Sequence, residues 1–101
     1  MFSLHGITFD LARIGDVCRR AGVVRAHLFG SILTDRFGPD SDIDLLIEVH
    51  PSNPPGLLAL GGLQMDLADL FGRPVHLTLL GGVPAQERPG MLALARTLDA
   101  A

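Results

Sequence analysis

The chain has 101 residues, 48% of them hydrophobic, and its 8 basic and 11 acidic side chains give a formal net charge of -3. One small domain spanning 1–101 is expected: the chain is too apolar to be disordered, its apolar runs are too short to cross a membrane, and its acidic balance excludes bulk neutralisation of nucleic-acid phosphates. Every basic residue is arginine and the lone cysteine is Cys18, which excludes Schiff-base and P-loop lysine chemistry and any internal disulfide.

Met1 to Asp10 has neither the charged start nor the apolar middle of a signal peptide, so a soluble cytoplasmic protein is expected. From Phe9 to Ala21, Leu11, Ile14, Val17, Cys18 and Ala21 fall at helical spacing, with Thr8 as cap and Gly22 as stop. Val23 to Phe29 is a strand, on which Val24, Ala26 and Leu28 share one side and His27 takes the other, solvated or hydrogen-bonded. Ser31 to Arg36 reads as a short helix, and Phe37-Gly38-Pro39-Asp40-Ser41 as a loop. Ile43 to Val49 is a second strand, with Ile43, Leu45, Ile47 and Val49 on one face. After a break at Pro51 to Gly56, the repeat Leu57, Leu60, Leu63, Leu67, Leu70 predicts a helix ending at Gly72. Val75 to Leu80 is a third strand, and Ala85 to Asp99 reads as a last helix. The order predicts an α/β fold, a small sheet covered by helices.

The chemistry concentrates in Gly30-Ser31 and, after ten intervening residues, Asp42-Ile43-Asp44. Alternation sends Asp42 and Asp44 to the same side of their strand. Two carboxylates about 4 Å apart repel by roughly 4 kcal/mol at an effective dielectric near 20. A bound cation relieves that repulsion, and oxygen donors suit Mg²⁺ or Mn²⁺. Gly30 lets the backbone approach a ligand, and Ser31 offers a hydroxyl and an N–H where anions are favoured. Phosphate at the serine turn facing metal at the aspartates is what phosphoryl or nucleotidyl transfer requires. A plain turn and a solvated strand start remain the alternatives for each part taken alone. Asp40-x-Asp42-x-Asp44 also imitates the opening of an EF-hand loop, but Leu45 and Pro51 stand where that loop needs glycine and glutamate.

Together these residues resemble the signature of the polymerase-β-like nucleotidyltransferase superfamily. The small size and the wording Leu28-Phe29-Gly30-Ser31 with Pro39-Asp40-Ser41-Asp42-Ile43-Asp44 are similar to its minimal nucleotidyltransferase domains, over about residues 9 to 98. Phe71-Gly72-Arg73-Pro74-Val75 matches that family's lead into its third strand. The resemblance implies a mixed sheet flanked by helices, two divalent ions (Mg²⁺ or Mn²⁺) and transfer of a nucleoside monophosphate from an NTP, ATP foremost. Asp42 and Asp44 would hold metal, and Ser31 would contact the triphosphate. Many minimal members resemble antitoxins that pair with a HEPN-domain toxin and can attach AMP to its tyrosine. A HEPN partner, no membrane and no direct nucleic-acid contact are therefore expected, and a homo-oligomer stays open. The apolar surplus, a mean hydropathy of +0.36, suits either a partner face or a leucine-rich core.

The chain departs from the family pattern twice. His76, in Pro74-Val75-His76-Leu77, stands where a third carboxylate is usual. Imidazole there weakens Mg²⁺ binding, suits Mn²⁺ better and offers a general base. After Gly30-Ser31 the sequence reads Ile32-Leu33-Thr34-Asp35 rather than Arg-Ala-Arg-Gly, leaving Arg36 as a substitute phosphate contact. Glu48 is in phase with Asp44 but lies further along the strand, and it reads as structural, becoming a spare metal ligand only if the third is lacking. His5 and His50 have no metal spacing, and Cys18 fits a helix core face. The main expectation is a nucleotidyltransferase acting on a protein hydroxyl, with Asp42, Asp44 and His76 catalytic and Gly30, Ser31 and Arg36 on phosphate. The alternative is a catalytically degenerate antitoxin that acts by contact. Modification of a small molecule such as an aminoglycoside is disfavoured for want of a second lobe to hold it.

Overall fold

The structure, a computed structural model, describes residues 2–100. It opens on a hairpin, β1 (Phe2–Leu4) and β2 (Ile7–Phe9), turned at His5 and Gly6 with φ of 51° and 76°. Two positive φ values in a two-residue connection match the twist of antiparallel strands. The hairpin displaces the expected helix start. Thr8 pairs with Ser3 in the ladder, and helix α1 (Leu11–Arg20) is capped by Asp10, whose carboxylate accepts from the Arg13 N–H at 3.3 Å. Phe9 therefore enters the core from a strand, fully buried. At the other end of α1, Arg19 and Arg20 favour the negative end of the helix dipole, and Gly22 turns the chain at φ 83°.

The main sheet has the order β5-β4-β3-β6, built from β3 (Val23–Phe29), β4 (Ile43–Val49), β5 (Val75–Leu79) and β6 (Arg96–Ala100). β4 runs parallel to β5 across helix α2 (Leu57–Phe71), while β3 is antiparallel to both its neighbours, so the sheet is mixed as expected. β4 keeps the expected bounds, and α2 stops where Gly72 adopts φ 68°.

The structure departs from expectation elsewhere too. The segment after Ser31 is only a single 3₁₀ turn, Gly30–Leu33. On β3 a bulge between Val23 and Arg25 shifts the alternation, so Val23 is 1% exposed and Val24 38%. The expected last helix is cut short: α3 covers Arg88–Leu94, and β6 follows it to supply the partner that the second edge of β3 otherwise lacks. A helical repeat of Met91, Leu92, Ala95 and Leu98 is outweighed there by strand pairing that seats Leu98 in the core. Finally, Leu57 does not share the buried stripe of α2, which consists of Leu63, Leu67 and Phe71.

Helices α1 and α2 pack on one face of the sheet. Ile14, Cys18, Leu63 and Leu67 meet Leu28, Ile43, Leu45 and Ile47 there, and the Phe9 and Phe71 rings lie 5.2 Å apart. With those β4 residues committed to the core, the intervening side chains must point to the opposite face. Among the described residues no helix is long and apolar enough to cross a membrane.

Candidate active site

Three chain segments meet at one end of that opposite face. Asp44, the second residue of β4, stands between two register partners, Phe29 on β3 and His76 on β5. Asp42 stands two residues earlier, in the same phase. His76 follows buried Val75 and is itself exposed, with Nε2 3.8 Å from Asp42 Oδ2. Both side chains reach solvent, His76 at 70% and Asp42 at 45%.

On the β3 side the chain leaves the sheet at Gly30, immediately beside Asp44. Gly30 has φ 81°, and a Cβ added there would lie 2.7 Å from Asp44 Oδ2. Handedness and space each demand glycine at this position, so the backbone of the turn is brought against a carboxylate oxygen. Ser31 is the second residue of the 3₁₀ turn. Its carbonyl accepts from both the N–H (2.9 Å) and the hydroxyl (2.8 Å) of Thr34, and Thr34 Oγ1 in turn accepts from the Arg36 N–H at 3.2 Å. These bonds fix the turn while leaving the Ser31 hydroxyl without a hydrogen bond among the described residues. A cleft of about 460 Å³ follows, lined by Phe29, Gly30, Ser31, Thr34, Arg36 and, across it, Leu94 of α3. That volume lies in the range of small-molecule sites. Neither aspartate lines the cleft; they border it through Gly30.

The donor set is two carboxylates and one imidazole. No group of three His, Cys, Asp or Glu side chains is drawn close enough among the described residues to cage an ion alone. Asp42 and Asp44 are the side chains here that could hold a divalent ion, since Mg²⁺ is ordinarily bound by one or two carboxylates with its other positions filled by phosphate oxygens and water. Glu48 is not in this group. Its Oε2 lies 2.7 Å from Nε2 of His27, whose Nδ1 is 2.8 Å from Thr97 Oγ1, and His27 is buried rather than solvated.

Sequence reasoning missed Arg73, which it treated only as a lead into β5. Its Nη1 donates to the carbonyls of Gly38 and Ser41 at 2.7 and 2.8 Å, and its guanidinium lies 4.5 Å over the Phe37 ring. The Arg-Pro pair before a strand gave no sign of this, because the partners lie more than thirty residues away.

With this geometry in hand, the family model described as a nucleotidyltransferase domain matches residues 13–92. Among solved structures, a minimal nucleotidyltransferase is 29% identical over 84% of this chain and 85% of its own, with a TM-score of 0.71. A toxin–antitoxin structure with AMP-PNP shares 19% identity over 92% of this chain and 75% of that one, at a TM-score of 0.70. The tri-AMPylated Shewanella oneidensis HEPN toxin in complex with MNT antitoxin gives 18%, 90%, 70% and 0.61 for the same four quantities. The last two share the fold. No curated protein matches the chain.

Proposed function

Because the chain belongs to the nucleotidyltransferase domain family, we propose that it transfers a nucleoside monophosphate, AMP from ATP, to a protein hydroxyl on a HEPN-type partner. The observation that carries this reading is the approach of the Gly30 backbone to Asp44, where a Cβ would stand 2.7 Å from Oδ2. It sets the cleft of about 460 Å³ directly beside the Asp44 carboxylate, with no side chain between them. The acceptor oxygen bonds to the α-phosphorus, the bond from that phosphorus to the bridging oxygen breaks, and pyrophosphate leaves with its electron pair. A divalent ion, Mg²⁺ or Mn²⁺, held by Asp42 and Asp44 would neutralise charge developing on the phosphates. Ser31 and the Gly30 backbone hold the triphosphate, and exposed Arg36 at the cleft supplies the positive charge that the missing arginines would otherwise give. His76 takes the acceptor's proton as general base.

Nucleotide use is supported by the AMP-PNP complex, and a HEPN partner by the AMPylated toxin bound to its antitoxin. A second reading, an antitoxin that acts by contact alone, is favoured by one observation: no third acidic group joins Asp42 and Asp44 among the described residues. One experiment separates the two. The chain is incubated with α-labelled ATP, Mn²⁺ and a HEPN-type partner protein, and label on the partner is measured. Label is expected with the wild type and absent with Asp42→Asn. Absence of label from any NTP, with neutralisation of the partner intact in Asp42→Asn, would favour contact.

A further inference from the structure

We propose that Arg73 is a positioning residue that fixes Asp42 for metal and nucleotide, a role that rests on the reading of Asp42 given above. The two peptide groups flanking Asp42 are both tied to one dipeptide. The Ser41 carbonyl, on the amino side, accepts from Arg73 Nη1 at 2.8 Å; the Ile43 N–H, on the carboxyl side, donates to the Pro74 carbonyl at 3.0 Å. Arg73-Pro74 therefore fixes both planes about the Asp42 Cα.

The loop behind Asp42 is closed by the same side chain. The Gly38 carbonyl accepts from the Ser41 N–H at 3.1 Å and from Arg73 Nη1 at 2.7 Å, while the Gly38 N–H donates to Ser41 Oγ at 2.9 Å. Phe37, buried at the loop's start, lies under the Arg73 guanidinium, and its ring centroid is 4.9 Å from that of His5. His5 Nε2 in turn lies 3.0 Å from the carbonyl of Ile32, in the turn that carries Ser31. Phe37 thus links the serine turn to the aspartate loop, and Arg73 secures the loop's far end. Without Arg73, two carbonyls lose a charged donor, and of the two ties to the peptide groups flanking Asp42 only the Ile43 bond remains. A displacement of about 1 Å at such a group is enough to cost ~100-fold in a reaction.

The test uses the full chain with Mn²⁺ and a non-hydrolysable ATP analogue, free Mn²⁺ being followed by electron paramagnetic resonance. Alongside it, amide hydrogen exchange is followed at Ile43. Arg73→Gln is expected to weaken Mn²⁺ binding at least tenfold, and Arg73→Lys, which keeps a charged donor but loses the planar fork, three- to tenfold. Both should speed exchange at Ile43 at least tenfold while amides in α2 keep their wild-type protection. Leu67→Ala, which loosens the core elsewhere, should leave Mn²⁺ affinity in the folded protein unchanged, as a merely structural role for Arg73 would. If Arg73→Gln does not fold, Arg73→Lys carries the test alone. A folded Arg73 variant with wild-type Mn²⁺ affinity overturns the proposal. If the wild type itself shows no Mn²⁺ binding that Asp42→Asn abolishes, the functional reading fails, and exchange at Ile43 then decides the clamp: unchanged exchange overturns it too.

Discussion

At Gly30 two constraints coincide: a φ of 81°, which costs an L-residue roughly 1–2 kcal/mol, and a side-chain position only 2.7 Å from Asp44 Oδ2. Gly30→Ala must strain the turn and push the carboxylate aside as well. The expected outcome is a lower melting temperature and at least ~100-fold less label transfer, measured by calorimetry and the labelled-ATP assay. Gly62→Ala is the matched control. It lies on α2 with nothing within 4 Å of its added Cβ, so it should stabilise by about 0.5–1 kcal/mol. The sequence could single out Gly30, Ser31, Asp42 and Asp44 because their chemistry is local: a turn residue after a strand, and alternation within one strand. It could not single out Arg73, because a guanidinium reveals its partners only when distant carbonyls are brought to it. Glu48 could be read as structural from its place further along the strand than Asp44, but its partner, His27 on the neighbouring strand, could not be read.

Among the elements, those with internal periodicity were legible and those made by pairing were not. β4 and the end of α2 followed from alternation and from Gly72. β6 did not, because Arg96–Ala100 carries little strand character of its own and becomes a strand by completing the ladder of β3. The His27 network measures how firmly it is held. His27 lies on β3 with Glu48 on β4 and Thr97 on β6, and its side chain is only 6% exposed. Thr97→Val removes the partner of Nδ1 while keeping the side chain's shape. Leaving a buried polar atom unpaired costs about 1–3 kcal/mol, so urea unfolding should show a loss of that size. Exchange at β6 amides should rise before that at β4 amides, since β6 is the outer strand. Equal stability in the variant would mean that β6 is held by its backbone ladder and by Leu98 in the core, without help from the His27 bond.

For the whole molecule, the question raised by composition is where the apolar surplus goes, and α2 answers it within one helix. Leu67 is fully buried between the helices and the sheet, whereas Leu57 and Leu58 are 89% and 94% exposed. The periodic reading treated Leu57 and Leu67 alike because both fall on the same repeat. The difference arises because Leu57 and Leu58, in the first turn of α2, only border open grooves, Leu57 with Leu77 and Leu79 of β5 and Leu58 with Val17 and Ala21, and stay exposed. Burial is what gives a leucine its worth, about 25 cal/mol for each Å² removed from water. Leu67→Ala should therefore cost about 2–5 kcal/mol, a large part of the total stability of a domain this size. Leu57→Ser combined with Leu58→Ser should change it by less than about 0.5 kcal/mol. Urea titrations of the two variants measure both values on one scale. The denaturant slope should be nearly unchanged in the double variant, since it alters little of the surface newly exposed on unfolding. A loss of several kcal/mol in the double variant would instead mean that the start of α2 is covered in solution, and that the leucines there belong to a buried surface.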